Sequence, residues 1–303
     1  MNSAMRHKLP ATTIGVIMCF SAYATFSIQD AVMKWFVTDF SVAELLFWRS
    51  LTSILVCLAL GGAAIIKQAL SSKILLPLIW RSIIAALAWF FYYLSARELS
   101  LAQMTTLYYS APIIVVLLAV ALLKEQPTKR QWAATAIGFI GVIIASKPEA
   151  TNQYLSIFYA LFSAFLWAYT YILLRKLSGK SSILVQMLLA NVVTTLMTGA
   201  TLPWTFTSID ATTISVMVLT GVIGALGQYF LFSSFEYADA STLAPIEYSG
   251  LIWAFLFSYF IWGNQPGYFL IIGAMFIALS GFLSITVNKQ TSTTAKPKKG
   301  KLA

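Results

Sequence analysis

Apolar runs long enough to cross a bilayer follow one another along almost the whole chain. A transmembrane helix needs about 20 mostly apolar residues to span a hydrocarbon core of ~30 Å. Such runs fall at 11–33, 42–64, 77–96, 99–122, 130–146, 153–174, 182–203, 211–234, 240–262 and 267–287, with short loops that leave no room for a soluble domain. Only 10% of the 303 residues are charged and 59% are hydrophobic. An ordinary soluble domain carries about 25% charge. A chain so poor in charge cannot clothe its own surface in water, so lipid must be part of its solvent. The expected fold is an all-α membrane protein with ten transmembrane helices.

A net charge of +10 could suggest nucleic acid as a partner, but its distribution argues against that. With the amino terminus placed in the cytoplasm, sixteen of the twenty Lys and Arg residues fall on the inner side. Lys34, Arg97 and Lys147 fall outside, and Arg49 is left within the second span. This asymmetry is the positive-inside signal. It predicts a multi-pass protein of a bacterial inner membrane with both termini cytoplasmic. Residues 1–10 form a short leading tail and 288–303 a basic one, whose "KPKKGK" suits anionic lipid.

Arg6 and Lys8 precede an apolar run ending in "SAYA", which resembles a cleavable signal. The repeat described next needs this run as its first helix, so it is expected to stay. Cys19 and Cys57 lie inside spans as small hydrophobes. The only histidine, His7, lies in the leading tail, so no His-based metal site or triad is available. No metal and no organic cofactor is expected.

The chain repeats itself. A shift of 139 residues lays "ALAWFFYYLSARELSLAQMTTLYYSAPIIVVLLAVALLKEQP" on "ALGQYFLFSSFEYADASTLAPIEYSGLIWAFLFSYFIWGNQP". Within it Phe91 and Ser95 meet Phe230 and Ser234, Tyr109-Ser110 meets Tyr248-Ser249, and Gln126-Pro127 meets Gln265-Pro266. A shift of 142 lays Phe20-Ser21-Ala22 on Phe162-Ser163-Ala164. The chain therefore reads as two five-helix halves, 11–146 and 153–287. Because five is odd, the second half starts on the opposite face. That makes an inverted-topology repeat, the arrangement of many secondary transporters, whose substrate site lies near the midplane between halves.

These stretches resemble the EamA domain of the drug/metabolite transporter superfamily. In "LAQMTTLYYSAPIIVVLLAVALLKEQPTKRQWAATAIGFIGVIIAS" a helix with a mid-span proline leads through a lysine-glutamate turn to a Gly-rich helix of the form G-x-x-G-V. The second copy, "LAPIEYSGLIWAFLFSYFIWGNQPGYFLIIGAMFIALSGF", follows the same order, and "LFWRS" looks like the family's aromatic-Arg entry to the second helix. The second copy departs by carrying Asn264 in place of Glu125, and by placing its proline earlier, Pro245 rather than Pro112. The resemblance covers nearly the whole chain and implies two EamA-like halves.

Glu247 stands out inside "STLAPIEYSGLIWAFLF", since ionisable groups within a bilayer are costly and usually kept for a purpose. Glu247, Gly250, Ala254 and Ser258 make one small and polar helical stripe, while Leu251 and Phe255 are free to face lipid. Pro245 removes a backbone donor just before it. Glu247 could bind a substrate cation, shuttle a proton or hold a neighbouring helix, and all three roles stand open. Arg49, the only basic residue read as deep within a span, could pair with Glu247, Glu44 or Asp30, bind a carboxylate in bidentate fashion, or serve structure and gating.

Trp89, Tyr92, Tyr108, Tyr109, Trp167, Tyr169, Tyr248 and Gln228 are candidate walls of a shared cavity, where rings suit a flat or cationic ligand. The repeat pairs Trp89 with Gln228 and Tyr108 with Glu247. Gln103 and Asn191 are polar mid-helix candidates, since amides bond across helices. Asp30 and Gln29, toward the outer end of the first span, fit an outer gate or a solvated helix end.

No P-loop, H-E-x-x-H, CxxC or G-x-S-x-G is present. "GFIG" and "GVIG" sit in apolar helices, where glycine permits close packing. An intramembrane enzyme would want paired carboxylates or a His cluster, and a channel a repeated filter motif; neither pattern is seen. The expectation is an alternating-access secondary transporter of a small polar or zwitterionic metabolite such as an amino acid or derivative, with export preferred on family grounds. Uptake of an aromatic vitamin or nucleoside-like compound, riboflavin or S-adenosylmethionine for example, is the alternative. The expected partners are a small-molecule substrate, lipid and, as a candidate coupling ion, the proton. A monomer and a homodimer are equally open.

Overall fold

The computed structural model describes residues 11–123, 129–145, 153–177, 179–206, 210–237, 243 and 246–291. The tails, Glu125, Lys147 and Pro245 lie outside the described residues. Among those described there is no strand. The helices are α1 (Ala11–Phe36), α2 (Val42–Gly61), α3 (Ala64–Leu70), α4 (Leu75–Ser95), α5 (Leu101–Tyr108), α6 (Ala111–Leu123), α7 (Lys129–Ala145), α8 (Tyr154–Leu177), α9 (Ile183–Gly199), α10 (Leu202–Thr205), α11 (Ala211–Tyr237), α12 (Ser249–Trp262) and α13 (Tyr268–Thr291).

Six stretches are long and apolar enough to cross a membrane: Thr13–Phe36, Val42–Gly61, Leu75–Ser95, Leu101–Leu122 taken across its interruption, Tyr154–Leu174 and Ala211–Tyr237. Shorter apolar helices, Trp132–Ala145, Ile183–Gly199, Ser249–Trp262 and Tyr268–Ser280, occupy the other four expected positions. The outer surface has the composition lipid requires. Leu55, Leu76, Ile143, Leu196 and Ile252 are all at least 60% exposed. Trp35, Trp80, Trp132, Trp204 and Tyr268 stand exposed at helix ends, where amphipathic rings settle at the headgroup level.

Local chemistry sets the helix boundaries. Ser41, Ser100 and Ser182 cap α2, α5 and α9 with their side-chain oxygens. Asp210 accepts from the Thr213 hydroxyl and from the amides of Thr212 and Thr213 at the start of α11, and these donors, the hydroxyl foremost, hold its carboxyl below the usual range. The fourth expected span departs from a single rod. It is broken at Tyr109-Ser110 between α5 and α6, because Pro112 has no N–H to carry the ladder through.

The packing partners are reciprocal. α1 lies on α11 and α4 lies on α8, while α2 meets α9, α5 meets α12, and α7 meets α13. First helix against third, in both senses, is the pattern that a two-fold relation between the two matched stretches requires. Small details repeat as well. Ser95 donates back to the carbonyl of Tyr92 at 2.6 Å, and its counterpart Ser234 donates to Leu231 at 2.7 Å.

Both Gly-rich motifs serve close approach, as their setting suggested. A Cβ on Gly141 would stand 2.8 Å from the Gly273 carbonyl, and one on Gly273 would stand 2.7 Å from the Gly141 carbonyl, so α7 and α13 meet backbone to backbone. On α11 a Cβ at Gly221 would stand 2.8 Å from the Arg49 carbonyl, and one at Gly224 would strike Gln29. Small residues let transmembrane helices approach in this way.

Two orientations read from sequence need correction. Leu251 does not face lipid: it is 6% exposed and packs with Tyr109, Ile113, Val142 and Ile277, so α6, α7 and α13 each put a side chain over it. Arg81, counted among the inner-edge charges, is 2% exposed and sits inside α4, about 9 Å from its first residue at 1.5 Å per residue.

Candidate functional site

A face of α1 carries Cys19, Tyr23, Phe26 and Asp30 at helical spacing. A face of α4 carries Trp89, Tyr92 and Tyr93 in the same way. These two faces, the break between α5 and α6, α8 and the start of α12 converge on one cluster of rings that holds two carboxylates.

Asp30 is held from both sides. The Tyr93 hydroxyl donates to Oδ1 at 2.7 Å and the Tyr92 hydroxyl to Oδ2 at 3.1 Å. Gln29, fully buried, donates through Nε2 to the Tyr93 oxygen at 2.8 Å, and Thr105 lies 3.2 Å from the Tyr92 oxygen. Arg49, 3% exposed, is within electrostatic reach of Asp30. Its guanidinium carbon lies 4.9 Å from the centre of the Trp89 ring, within cation–π range. Asp30 and Gln29 are therefore built into the interior rather than placed at a solvated helix end.

Glu247 is 3% exposed. The Tyr23 hydroxyl and the Trp167 indole are polar neighbours of its carboxyl, and Tyr108, Tyr109 and Tyr248 lie within the reach of its charge. Neither Glu247 Oε1 nor Trp167 Nε1 closes a hydrogen bond within the protein. Buried polar atoms left this way are costly, and both are available to a ligand. The stripe read from sequence holds its place: Glu247, Gly250, Ala254 and Ser258 are all buried.

A continuous wall of rings joins the two acids. Trp89 stacks on Tyr93 at 5.8 Å and meets Trp167 edge-on at 5.7 Å and Phe26 at 6.0 Å. Tyr92 meets Tyr108 at 4.9 Å, Tyr108 meets Tyr109 at 5.7 Å, and Tyr109 meets Tyr248 at 5.8 Å. Tyr109-Ser110 and its repeat counterpart Tyr248-Ser249 both stand where a helix begins, α6 and α12. Both serine hydroxyls lack a partner. Interrupted helices at mid-membrane are where transporters place binding sites.

Asn191 and Gln228 lie beside this cluster, with the Asn191 amide donating to Gln228 Oε1 at 2.9 Å. Gln228 lines a small cavity together with Trp89, Trp167 and Phe26. Under the shifts of 142 and 139, Asn191 is the counterpart of Arg49 and Gln228 that of Trp89. A cation over a ring in one half is thus an amide on an amide in the other. Gln103 is a correction. It is the third residue of α5, its amide oxygen accepts from the Ser100 backbone at 3.0 Å in a capping box, and it lines a cleft with Lys34 and Asn264.

Sequence reasoning missed Tyr23, Phe26, Tyr93 and Arg81. The first three lie at helical spacing from Asp30 or Trp89, which is the signal that could have found them.

Comparison with known proteins places the chain. The model of the EamA-like transporter family matches residues 13–147 and 154–286. The chain belongs to the EamA-like transporter family. An uncharacterized transporter of Helicobacter pylori is 30% identical over 288 residues, covering 89% of this chain and 93% of its own. An S-adenosylmethionine uptake transporter of Rickettsia prowazekii is 25% identical over 300 residues, covering 98% and 99%. A pseudopaline exporter of Pseudomonas aeruginosa is 25% identical over 271 residues, covering 88% and 94%. The protein is a multi-pass membrane transporter of a small molecule.

Proposed function

We propose that this protein is an alternating-access carrier for a small organic cation or zwitterion bearing a flat ring, with S-adenosylmethionine as its substrate. The observation that carries this reading is the pair of interior carboxylates, Asp30 and Glu247, joined by one wall of aromatic rings. A sulfonium or ammonium centre suits such a cage, since ring faces and carboxylates both attract positive charge. An adenine suits the Trp89, Tyr93 and Trp167 surfaces, which offer stacking without demanding a particular hydrogen-bond pattern. The Rickettsia relative's name agrees with this chemistry and favours uptake as the direction.

In this reading the two halves, 11–146 and 153–287, are inverted repeats of five helices that rock about the ring cluster. Both termini lie in the cytoplasm, following the positive charges, in a bacterial inner membrane. No enzyme chemistry is assigned. Export of an amino-acid derivative is the second reading, favoured by the pseudopaline exporter's similarity.

The test is binding to the purified protein in detergent, followed by thermal unfolding, because a ligand that binds only the folded state raises stability by mass action. S-adenosylmethionine should stabilise the protein, and S-adenosylhomocysteine, which lacks the sulfonium methyl group and its charge, should bind at least about 10-fold more weakly. Equal binding of the two would show that the cage does not read the charge. Stabilisation by riboflavin or amino acids in their place would move the assignment to those classes.

A further inference from the structure

The small cavity beside the ring cluster is lined also by Arg81, from the early part of α4. The cavity is about 30 Å³, too little for a nucleoside and enough for a carboxylate or two to three waters. Arg81 is 2% exposed. Its partners among the described residues are the Gln186 carbonyl, 3.2 Å from Nη2, and the Phe232 ring, 5.3 Å from Cζ. Neither carries charge, and Arg81 Nε closes no hydrogen bond. One more donor lines the same space without a partner, Thr170 Oγ1.

A buried guanidinium with no anion is among the more costly features a membrane interior can hold. Two unpaired donors, Arg81 Nε and Thr170 Oγ1, in a mostly apolar pocket ask for one acceptor-rich, negatively charged group. The repeat adds a second argument. The counterpart of Arg81 under the shift of 139 is Thr220, whose hydroxyl donates to its own helix at the Val216 carbonyl, 2.7 Å away. So the charge is peculiar to one end of the molecule and is not a requirement of the fold.

We propose that Arg81, with Thr170, forms a carboxylate subsite at the inner end of the transport path. It takes the acid group of a zwitterionic substrate whose cation and ring occupy the adjoining cage, with Trp89 and Trp167 shared between the two. The inference rests on the substrate reading above and gives the carrier its selectivity for amino acids over the corresponding amines.

The test compares acid and amine members of three pairs by thermal stabilisation of the full-length protein: S-adenosylmethionine with decarboxylated S-adenosylmethionine, phenylalanine with phenethylamine, and lysine with cadaverine. The wild type should prefer the acid of a bound pair by about 10-fold or more. In Arg81→Gln that preference should fall to within about 2-fold while the amine binds as before, which also shows the variant to be folded; Arg81→Lys should recover part of it. A preference that survives Arg81→Gln, or a wild type indifferent to the carboxylate, overturns the subsite. A silent S-adenosylmethionine pair beside an amino-acid pair whose preference vanishes in Arg81→Gln contradicts the substrate assignment and supports the subsite. Silence of all three pairs counts against both.

Discussion

Replacing Glu247 by glutamine should weaken S-adenosylmethionine binding, and exchange of labelled for unlabelled compound across the membrane, by about 30-fold or more wherever the wild-type carboxyl is ionised, since losing one partner of a desolvated charge pair costs about 2–5 kcal/mol. Glutamine keeps the shape, so Tyr23, Trp167 and Tyr248 have no reason to repack. The charge alone is removed, from a site where Oε1 has no partner within the protein. The result separates two roles that sequence left open. If Glu247 only carried a coupling proton, Glu247→Gln would lose pH-driven transport and keep exchange at fixed pH. Loss of both, with thermal unfolding unchanged in the absence of ligand, is the outcome expected of a group that binds the substrate's cation.

Trp89→Ala should lower affinity for S-adenosylmethionine by about 10- to 100-fold, because base–aromatic stacking is worth about 1–3 kcal/mol and a cation over the ring adds to it. No other ring in the cluster touches as many partners: Trp89 meets Phe26, Tyr92, Tyr93 and Trp167, and Arg49 lies over its face. The truncation also takes away the surface on which Arg49 rests, so some loss of stability should accompany it. Trp89→Phe separates the effects, restoring packing and part of the stacking. An affinity that falls equally in Trp89→Phe and Trp89→Ala would point to indole-specific contact; no change in either would remove Trp89 from the site.

Much of this was legible in the residues. The spacing of apolar runs gave helix positions, and the small residues around Glu247 gave its buried face, because both depend on period alone. The matched Tyr-Ser pairs stand at the two helix starts beside the ring cluster. What sequence left out depends on neighbours distant in the chain. Tyr23 and Tyr93 look like any lipid-facing aromatic until α1 and α4 are seen to converge on Asp30. Arg81 reads as an edge charge because Lys67 and Lys73 precede it, and only the depth of α4 separates it from them. Gln103 was misread because α5 is capped at Ser100, three residues before it, which turns its amide into part of the cap. Leu251 was misplaced because its exposure is set by α7 and α13.

The most direct measurement is counterflow. Proteoliposomes loaded with unlabelled S-adenosylmethionine and diluted into the labelled compound should accumulate label transiently above its equilibrium level, while vesicles loaded with S-adenosylhomocysteine should not. Overshoot of that kind requires a site that faces one side at a time. Label that enters only to equilibrium, at a rate indifferent to what the vesicles hold, would contradict alternating access, and no entry at all would contradict the substrate.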